Sequence, residues 1–266
     1  GSLTDYLKYL QRTPAEVDAL FGDLLIGVTH FFRDPEAFEV LDTTVIPQLL
    51  SSKPAGATVR AWSVGCSTGE EAYSIAILFQ EHLDALQQHC QVQVFATDID
   101  SRAIAAARSG LYPVSIAADV SAQRLQQFFT LEPDGRSYRV ARKIRDLLVF
   151  SEQDVIRDPP FSRLDLIVCR NLLIYMGAEL QKKLMPIFHY ALNPGAVLFL
   201  GGSESIGEFE DLFAPLDRKV KLYRRKEDFH GVPRTALHRF RNPPAPALAQ
   251  LRASRREVGN LSLRQL

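Results

Sequence analysis

The stretch Val59-Arg-Ala-Trp-Ser-Val-Gly-Cys-Ser-Thr-Gly-Glu-Glu-Ala-Tyr-Ser-Ile-Ala-Ile-Leu-Phe79 decides the fold that the sequence predicts. Its apolar run from Val59 to Val64 ends at Gly65, and a helical pattern begins after a second glycine, Gly69. A strand, a turn of small residues and a helix start, in this order, are typical of the ligand pocket in a doubly wound sheet. Taken alone, the same pattern is equally consistent with a plain structural turn.

Two acids follow the second glycine of this turn. Glu70 and Glu71 stand where a phosphate-binding loop would hold its ligand, and no Lys follows Gly69. Because the carboxylates would repel a phosphate, the turn is not a P-loop. The acids favour a ligand that carries hydroxyl groups or a positive charge.

The composition is that of a globular protein with enough apolar residues for a large core. Of the 266 residues, 46% are hydrophobic, which allows one large domain or a main domain with a smaller attachment. No apolar run approaches the roughly 18 residues of a membrane span, so we expect no membrane insertion. The three cysteines form no CxxC pair, which favours reduced thiols in a cytoplasmic protein. The six histidines are scattered, and we predict no metal site.

The formal net charge is zero, but the charges are unevenly distributed. Residues 224–266 hold ten Lys and Arg against three acids, a net charge of +7 that leaves −7 for residues 1–223. A mildly acidic body argues against nucleic acid as the main partner. Residues 227–266, basic and Pro-containing, favour a solvated linker or tail, with a binding arm as the alternative. Because Gly1-Ser2 looks like a cloning scar, we expect further domains in a longer protein.

Residues 1–50 have the pattern of a helical region. Thr13-Pro14-Ala15-Glu16 is a capping box with Pro at the first helical position, and a further helix is expected from Asp34-Pro35 towards Pro47. Arg33 stands directly before that helix. Its forked guanidinium could clamp a carboxylate at a pocket edge, or it could pair with a surface acid.

From Val59 onward, strand-like and helix-like stretches alternate, which predicts a parallel α/β sheet over residues 51–226. The expected strands are 59–64, 92–96, 164–169, 197–200 and 219–224, and the expected helices are 70–89, 101–109, 121–129 and 178–192. Asp98 follows the second strand, where an acid in a doubly wound sheet can bind ribose hydroxyls. The alternative for Asp98 is a simple helix cap, a role that Ser101 or Asp100 would fill better.

A change of character at about 131–150 predicts a small antiparallel β insertion, because Pro133-Asp134-Gly135 forms a turn between polar-alternating runs. The insertion is basic, with Arg139, Arg142, Lys143 and Arg145. From charge alone, it either faces something acidic or is a solvated hairpin.

Asp158-Pro-Pro-Phe161 looks like the D/N-P-P-Y/F motif of amino methyltransferases that act on DNA or glutamine. In those enzymes the motif directly follows the fourth strand, whereas here it precedes the expected strand 164–169. We therefore predict a rigid turn without that chemistry.

Six segments in the same order resemble the CheR-type chemotaxis receptor protein-glutamate O-methyltransferases. The matching segments are Thr29-His-Phe-Phe-Arg-Asp34, Trp62-Ser-Val-Gly-Cys-Ser-Thr-Gly-Glu-Glu71, Tyr73-Ser-Ile-Ala76, Ala96-Thr-Asp-Ile-Asp100, Cys169-Arg-Asn-Leu-Leu-Ile-Tyr175 and Gly201-Gly-Ser-Glu-Ser205. The resemblance covers roughly residues 20–226.

The resemblance implies a class I (Rossmann-like) methyltransferase sheet with an N-terminal helical region and a small antiparallel β insertion. It implies S-adenosyl-L-methionine as cofactor, S-adenosyl-L-homocysteine as its product, and methylation of glutamate carboxylates. The implied partner is the cytoplasmic helical region of a chemoreceptor or related signalling protein, with the β insertion as a place where receptors can dock.

The resemblance also implies the site residues. Arg33 and Thr29 would hold the methionine end, Glu70, Asp98 and Ile99 the ribose and adenine, and Asp154 and Val155 the adenine edge. Gly27 and Gly65 would add cofactor contacts, Arg170 and Asn171 would line the pocket floor, and Tyr175 would lie beside the sulfonium methyl. Arg33 and Tyr175 are the expected catalytic residues. Of the two acids in the turn, we expect Glu70 to contact the cofactor and Glu71 to act as a helix-start charge.

Two other functions remain open. The basic tail and the expected longer protein are consistent with a non-catalytic module that senses S-adenosylmethionine or S-adenosylhomocysteine. A small-molecule or nucleic-acid methyltransferase is disfavoured by the charge distribution and by the position of Asp158-Pro-Pro-Phe161.

Overall fold

The alternating strands and helices form a seven-stranded sheet in the computed structural model, which describes residues 2–24, 27–54, 56–86 and 90–227. The strands in spatial order are β6 (Leu148–Glu152), β2 (Gln91–Asp98), β1 (Thr58–Val64), β7 (Leu164–Cys169), β8 (Leu192–Leu200), β10 (Leu222–Arg225) and β9 (Phe213–Asp217). The first five pair in parallel, and β10 runs antiparallel to both of its neighbours. Because β1 lies between β2 and β7, the strand order reverses there and opens a crevice at the carboxyl ends.

The central strands are covered on both faces. Every residue of β7 is buried, as are Val59 and residues 61–64 of β1, which is the pattern of parallel strands between two layers of helices. Helix α5 (Glu70–Leu86) follows β1 and is buried on every side from Ala72 to Phe79. An amphipathic surface helix would bury one stripe only, so elements besides the sheet must cover α5.

Part of this cover is the N-terminal region, whose elements are α1 (Leu3–Arg12), α2 (Pro14–Leu24), α3 (Pro35–Val40), a π-helical segment (Leu41–Val45) and α4 (Ile46–Ser51). Leu41, Ile46 and Leu50 are fully buried. Phe31 packs edge-to-face against Tyr112, with ring centroids 4.9 Å apart, and thereby joins this region to the β insertion. The described residues belong to a unit that spans Gly1–Asp228. A domain boundary at residue 50 stays a prediction, and of the expected tail at 227–266 only residue 227 is described.

Helix α6 (Ser101–Ser109) follows β2, and its N-cap residue is Asp100. The Asp100 side chain accepts a hydrogen bond from the Arg102 amide at 2.8 Å, so of the two expected cap residues Asp100 is the cap and Ser101 is the first helical residue. The other main helix, α9 (Ala178–Ala191), matches its expected range closely.

The β insertion lies earlier in the chain than expected. Its antiparallel strands β3 (Leu111–Pro113), β4 (Phe129–Leu131) and β5 (Ser137–Val140) are ordered β3-β5-β4, with α7 (Ala122–Phe128) and α8 (Arg142–Arg145) around them. The expected range of 131–150 has to be corrected, because β6 pairs in parallel with β2 and belongs to the main sheet.

The basic side chains of the insertion pair largely within the chain. Arg139 pairs with Glu132, Arg142 with Asp146 at 3.4 Å, and Lys143 with Asp84 at 3.6 Å. These carboxylates already supply acidic partners, so the charges alone do not require an external one. Among the described residues, no helix has the length and apolar character needed to cross a membrane.

Candidate active site

A cavity of about 740 Å³ lies at the carboxyl ends of β1, β2 and β7. Eleven of the residues expected in the site line it: Gly27, Thr29, Arg33, Gly65, Asp98, Ile99, Asp154, Val155, Arg170, Asn171 and Tyr175. Glu70 does not line the cavity, whereas its neighbour Glu71 does. The strand order therefore brings together segments that are more than a hundred residues apart in the sequence.

Asp98 closes β2 with its carboxylate held in place. One oxygen accepts the Ser67 amide at 2.7 Å and the other accepts the Asp100 amide at 2.9 Å. Each carboxylate oxygen can accept a second hydrogen bond, so the group can still bind hydroxyls of a ligand. Asp98 is therefore more than a cap, since Asp100 caps the following helix.

The turn between β1 and α5 is held by hydrogen bonds to β2 and to the β insertion. The Gly65 and Cys66 amides both donate to the Thr97 carbonyl, at 2.8 and 2.9 Å. The Tyr112 hydroxyl of the β insertion donates to the Thr68 carbonyl at 2.6 Å. Burial, and secondarily the charge of Asp98, raises the pKa of the Cys66 thiol, so the cavity wall carries a neutral thiol there.

Of the two acids in the turn only Glu71 lines the cavity, so Glu71 is the acid that we propose for a cofactor contact. Glu70 accepts a hydrogen bond from the Thr68 hydroxyl at 2.7 Å and is not among the residues that line the cavity. Glu71 accepts one from the Ser63 hydroxyl at 2.9 Å and lies 3.7 Å from the Arg170 guanidinium. Burial raises the pKa of both carboxyl groups, and Arg170 opposes this rise at Glu71. Successive helical residues are rotated by roughly 100°, so the two neighbouring side chains leave the helix in different directions.

Arg170 is a buried cation that joins three elements around the cavity. Its side chain is 1% exposed, and its guanidinium donates to the Asp34 carboxylate at 2.5 Å and to the Arg33 carbonyl at 3.0 Å. The guanidinium also lies over the ring of Phe199, 4.8 Å from its centroid. Arg170 thus fixes the backbone that carries Arg33 and neutralises part of the buried charge of Glu71.

Arg33 reaches the cavity from the loop before α3. One guanidinium nitrogen donates to the Val28 carbonyl at 3.0 Å, which steadies the loop 27–33 against the cavity. A guanidinium has five N–H donors, so others remain for a ligand carboxylate.

Asp154 and Val155 lie in a turn directly after β6. The Asp154 carboxylate accepts the Ile156 amide at 2.9 Å and the Arg157 amide at 3.2 Å, so its side chain mainly stabilises its own turn. Asp158 in turn accepts the Asp154 amide at 2.8 Å.

The segment Asp158-Pro-Pro-Phe161 has the contacts of a structural turn. The Phe161 ring stacks on Phe95, with centroids 4.2 Å apart, and meets Trp62 edge-on at 5.3 Å. None of the segment's four residues lines the cavity. It supports the cavity wall indirectly, through Asp154.

Tyr175 stands at the mouth of the cavity, at the end of a 3-10 turn (Leu173–Tyr175). It lines the cavity and is also 57% exposed, so a second molecule could reach it. Asn171, four residues earlier, has a left-handed backbone (φ 58°), which bends the chain sharply after β7. Residues that the sequence did not single out, Leu172 and Met176 among them, add apolar lining beside this turn.

A family model described as "CheR methyltransferase, SAM binding domain" matches residues 27–222. The chain belongs to this family. The match contains every cavity residue discussed above, and the fold has the mixed sheet and the small antiparallel sheet that the resemblance implied. The expectation of S-adenosylmethionine as cofactor is confirmed at the level of the family.

Named relatives agree with this assignment. Chemotaxis protein methyltransferase 2 of Vibrio cholerae is 32% identical over 234 residues, which are 86% of this chain and 78% of the relative. Chemotaxis protein methyltransferase 1 of Pseudomonas aeruginosa is 34% identical over 187 residues, or 69% and 68%. A 104.1 kDa protein of Rhodobacter capsulatus is 36% identical over 257 residues, which are 92% of this chain but only 27% of that protein.

The cavity suits S-adenosylmethionine in size and in the order of its side chains. A guanidinium at Arg33 suits the carboxylate of the methionine part, and the carboxylate of Asp98 suits the ribose hydroxyls. Apolar residues at Ile99 and Val155 suit the flat face of the adenine. The Glu71 carboxylate, which lines the cavity with a side chain that is 12% exposed, suits the positive charge of the cofactor.

Proposed function

We propose that this methyltransferase transfers a methyl group from S-adenosylmethionine to glutamate side-chain carboxylates of a signalling protein, giving glutamate methyl esters. The proposed substrate is the cytoplasmic helical region of a chemotaxis-type receptor. The relatives named as chemotaxis methyltransferases support this choice. The chain spans only 27% of the Rhodobacter protein. The proposal therefore extends to the activity of any longer protein that contains this chain.

The observation that carries the proposal is the position of Tyr175. Its side chain both lines the cavity and is 57% exposed, so it can touch a bound cofactor and an acceptor that arrives from solvent. We assign to Tyr175 the role of orienting the acceptor carboxylate, and to Arg33 that of holding the carboxylate of the cofactor.

The proposed chemistry needs little from acid–base groups. When bound, S-adenosylmethionine would supply a methyl group on a cationic sulfur. A carboxylate oxygen would form a bond to the methyl carbon as the methyl–sulfur bond breaks, and the sulfur would leave as the neutral thioether of S-adenosylhomocysteine. A glutamate has an ordinary pKa of about 4.3, so the acceptor is already anionic at neutral pH and needs no general base. The chain's residues align the two reactants and exclude water from between them.

Transfer of labelled methyl from the cofactor to candidate proteins tests the proposal. We expect label in the cytoplasmic fragment of a receptor that carries glutamates, and no label when those glutamates are changed to alanine. A chain that binds S-adenosylhomocysteine tightly but labels no receptor fragment or cell extract would contradict the proposal and favour a cofactor-sensing module.

A further inference from the structure

A buried carboxylate, Glu204, bridges the loops that follow β7 and β8. Glu204 is 4% exposed. Its Oε1 accepts the Leu173 amide at 2.7 Å, and its Oε2 accepts the Gly201 amide at 2.6 Å. Within the described part of the chain, no Lys or Arg forms an ion pair with it. The two amides are therefore its main hydrogen-bond partners.

The first of these amides belongs to the turn that carries Tyr175. Leu173 begins the 3-10 turn that ends at Tyr175, and the Leu173 side chain is 1% exposed, so the turn is anchored at this residue. The outer side of the turn is held by Gln181, whose amide group donates to the Leu173 and Met176 carbonyls at 2.9 Å. Glu204 supplies the contact from the inner side.

The second amide belongs to Gly201, where the surrounding atoms leave no space for a side chain. A Cβ at Gly201 would lie 2.8 Å from Glu204 Oε2 and 2.9 Å from the Asn171 amide nitrogen. The loops after β7 and β8 thus meet backbone to backbone, with Glu204 filling the gap beside them. A shift of Glu204 has to move the turn that ends at Tyr175.

We propose that Glu204 is a positioning residue that sets the place of the Tyr175 phenol at the cavity mouth through the Leu173 amide. The inference rests on the proposed role of Tyr175 in methyl transfer. Arg170 and Asp98 have partners of their own, so the cofactor contacts at those residues do not depend on Glu204.

Glu204→Gln tests this role with little change in shape. The amide offers one acceptor oxygen and an NH₂ group, so one of the two backbone amides then faces a donor. We expect kcat to fall by about 10- to 100-fold, the size of effect that a misplacement of about 1 Å produces. We expect the dissociation constant of S-adenosylhomocysteine to change by less than about threefold, because a lost transition-state contact lowers kcat alone.

Glu208→Gln is the matched control. Glu208 lies in the same loop region, but its side chain is 63% exposed and pairs with Lys182 at 3.4 Å on the surface. We expect its kcat to stay within about twofold of wild type, since exposed ion pairs contribute little. Gly201→Ala is the second variant, in case Glu204→Gln folds poorly, and should lower kcat as well because the new Cβ displaces Glu204.

A double-mutant cycle separates positioning from a general effect on the fold. In a Tyr175→Phe background, Glu204→Gln should lower kcat by less than about threefold, because the hydroxyl that it positions is already absent. Full additivity of the two changes, or equal losses in kcat and cofactor affinity, would overturn the inference.

Hydrogen exchange of the amides at 172–176 gives a readout that does not require activity. It should become faster in Glu204→Gln and stay unchanged in Glu208→Gln. If wild type transfers no methyl to glutamate, the proposed function fails, while the exchange data still decide whether Glu204 holds the turn. Unchanged hydrogen exchange at 172–176 in Glu204→Gln would refute the inference that Glu204 stabilises the turn.

Discussion

Gly69→Ala should be among the most damaging small substitutions in this protein. Gly69 has φ 97°, a conformation that residues with a Cβ rarely adopt. A Cβ at this position would lie 2.9 Å from the Ala107 Cβ, 3.1 Å from the Tyr112 hydroxyl and 3.2 Å from the Phe150 ring. Ala107 is a short side chain on a helix and Tyr112 is held by its bond to Thr68, so neither can yield without moving backbone.

Two costs add up at Gly69. The left-handed backbone costs a non-glycine residue about 1–2 kcal/mol. Overpacking a filled site costs about 1–3 kcal/mol. The free energy of unfolding should therefore fall by about 2–5 kcal/mol, and cofactor affinity should fall as well, because the same turn holds the Ser67 amide against Asp98.

Gly195→Ala is the matched control for this loss. Gly195 has φ 77° but nothing within 4 Å of a built Cβ, so only the backbone cost of about 1–2 kcal/mol applies. Urea unfolding of both variants, followed by far-UV circular dichroism, measures the difference. Equal destabilisation of the two variants would refute the steric argument at Gly69.

Three further predictions concern the cavity. Arg33→Ala should lower the affinity for S-adenosylhomocysteine by about 10- to 150-fold, because a charge-assisted hydrogen bond is lost. The affinity for methylthioadenosine, which lacks the carboxylate, should stay nearly unchanged in calorimetric titration. Equal losses of affinity for both ligands would contradict the role assigned to Arg33. Tyr175→Phe should lower kcat far more than cofactor affinity in steady-state methylation, and parallel losses would refute an orienting role. Glu71→Gln should change how stability depends on pH. Because burial raises the pKa of folded Glu71 above its ordinary 4.5, the folded state keeps this proton to a higher pH, and the contribution of Glu71 to wild-type stability should fall as pH rises from 4.5 through the raised value. The difference in unfolding free energy between wild type and Glu71→Gln should shift in favour of the variant over that range, and a constant difference would contradict the raised pKa.

Most of the fold could be predicted from the sequence, because buried parallel strands are continuous apolar runs. The predictions that were wrong concerned elements whose place depends on contacts between residues distant in sequence. Leu148–Glu152 is a short strand after a basic segment, and only its pairing with β2, some fifty residues earlier, shows that it joins the main sheet. Strand β3 has three residues, too few for a periodic pattern, and β9 contains Pro215, which argues against a strand.

The candidate site shows the same limit at finer scale. The cavity residues on strand ends, such as Asp98 and Asn171, could be located because a strand end fixes where the next residues lie. Which of Glu70 and Glu71 faces the cavity depends on the rotation of α5 about its axis, which adjacent acids do not reveal. The bridging contact of Glu204 could not be predicted either, because it exists only once β7 and β8 are neighbours.

The central claim is that this cavity methylates glutamate carboxylates, and the chemical stability of the transferred label tests it most directly. The chain would be incubated with methyl-labelled S-adenosylmethionine and a receptor cytoplasmic fragment, and the labelled fragment would then be treated with mild alkali. A carboxyl methyl ester should release its label as volatile methanol, and Tyr175→Phe should give much less of it. Label that withstands alkali, or that appears equally in fragments without glutamate acceptors, would contradict the account.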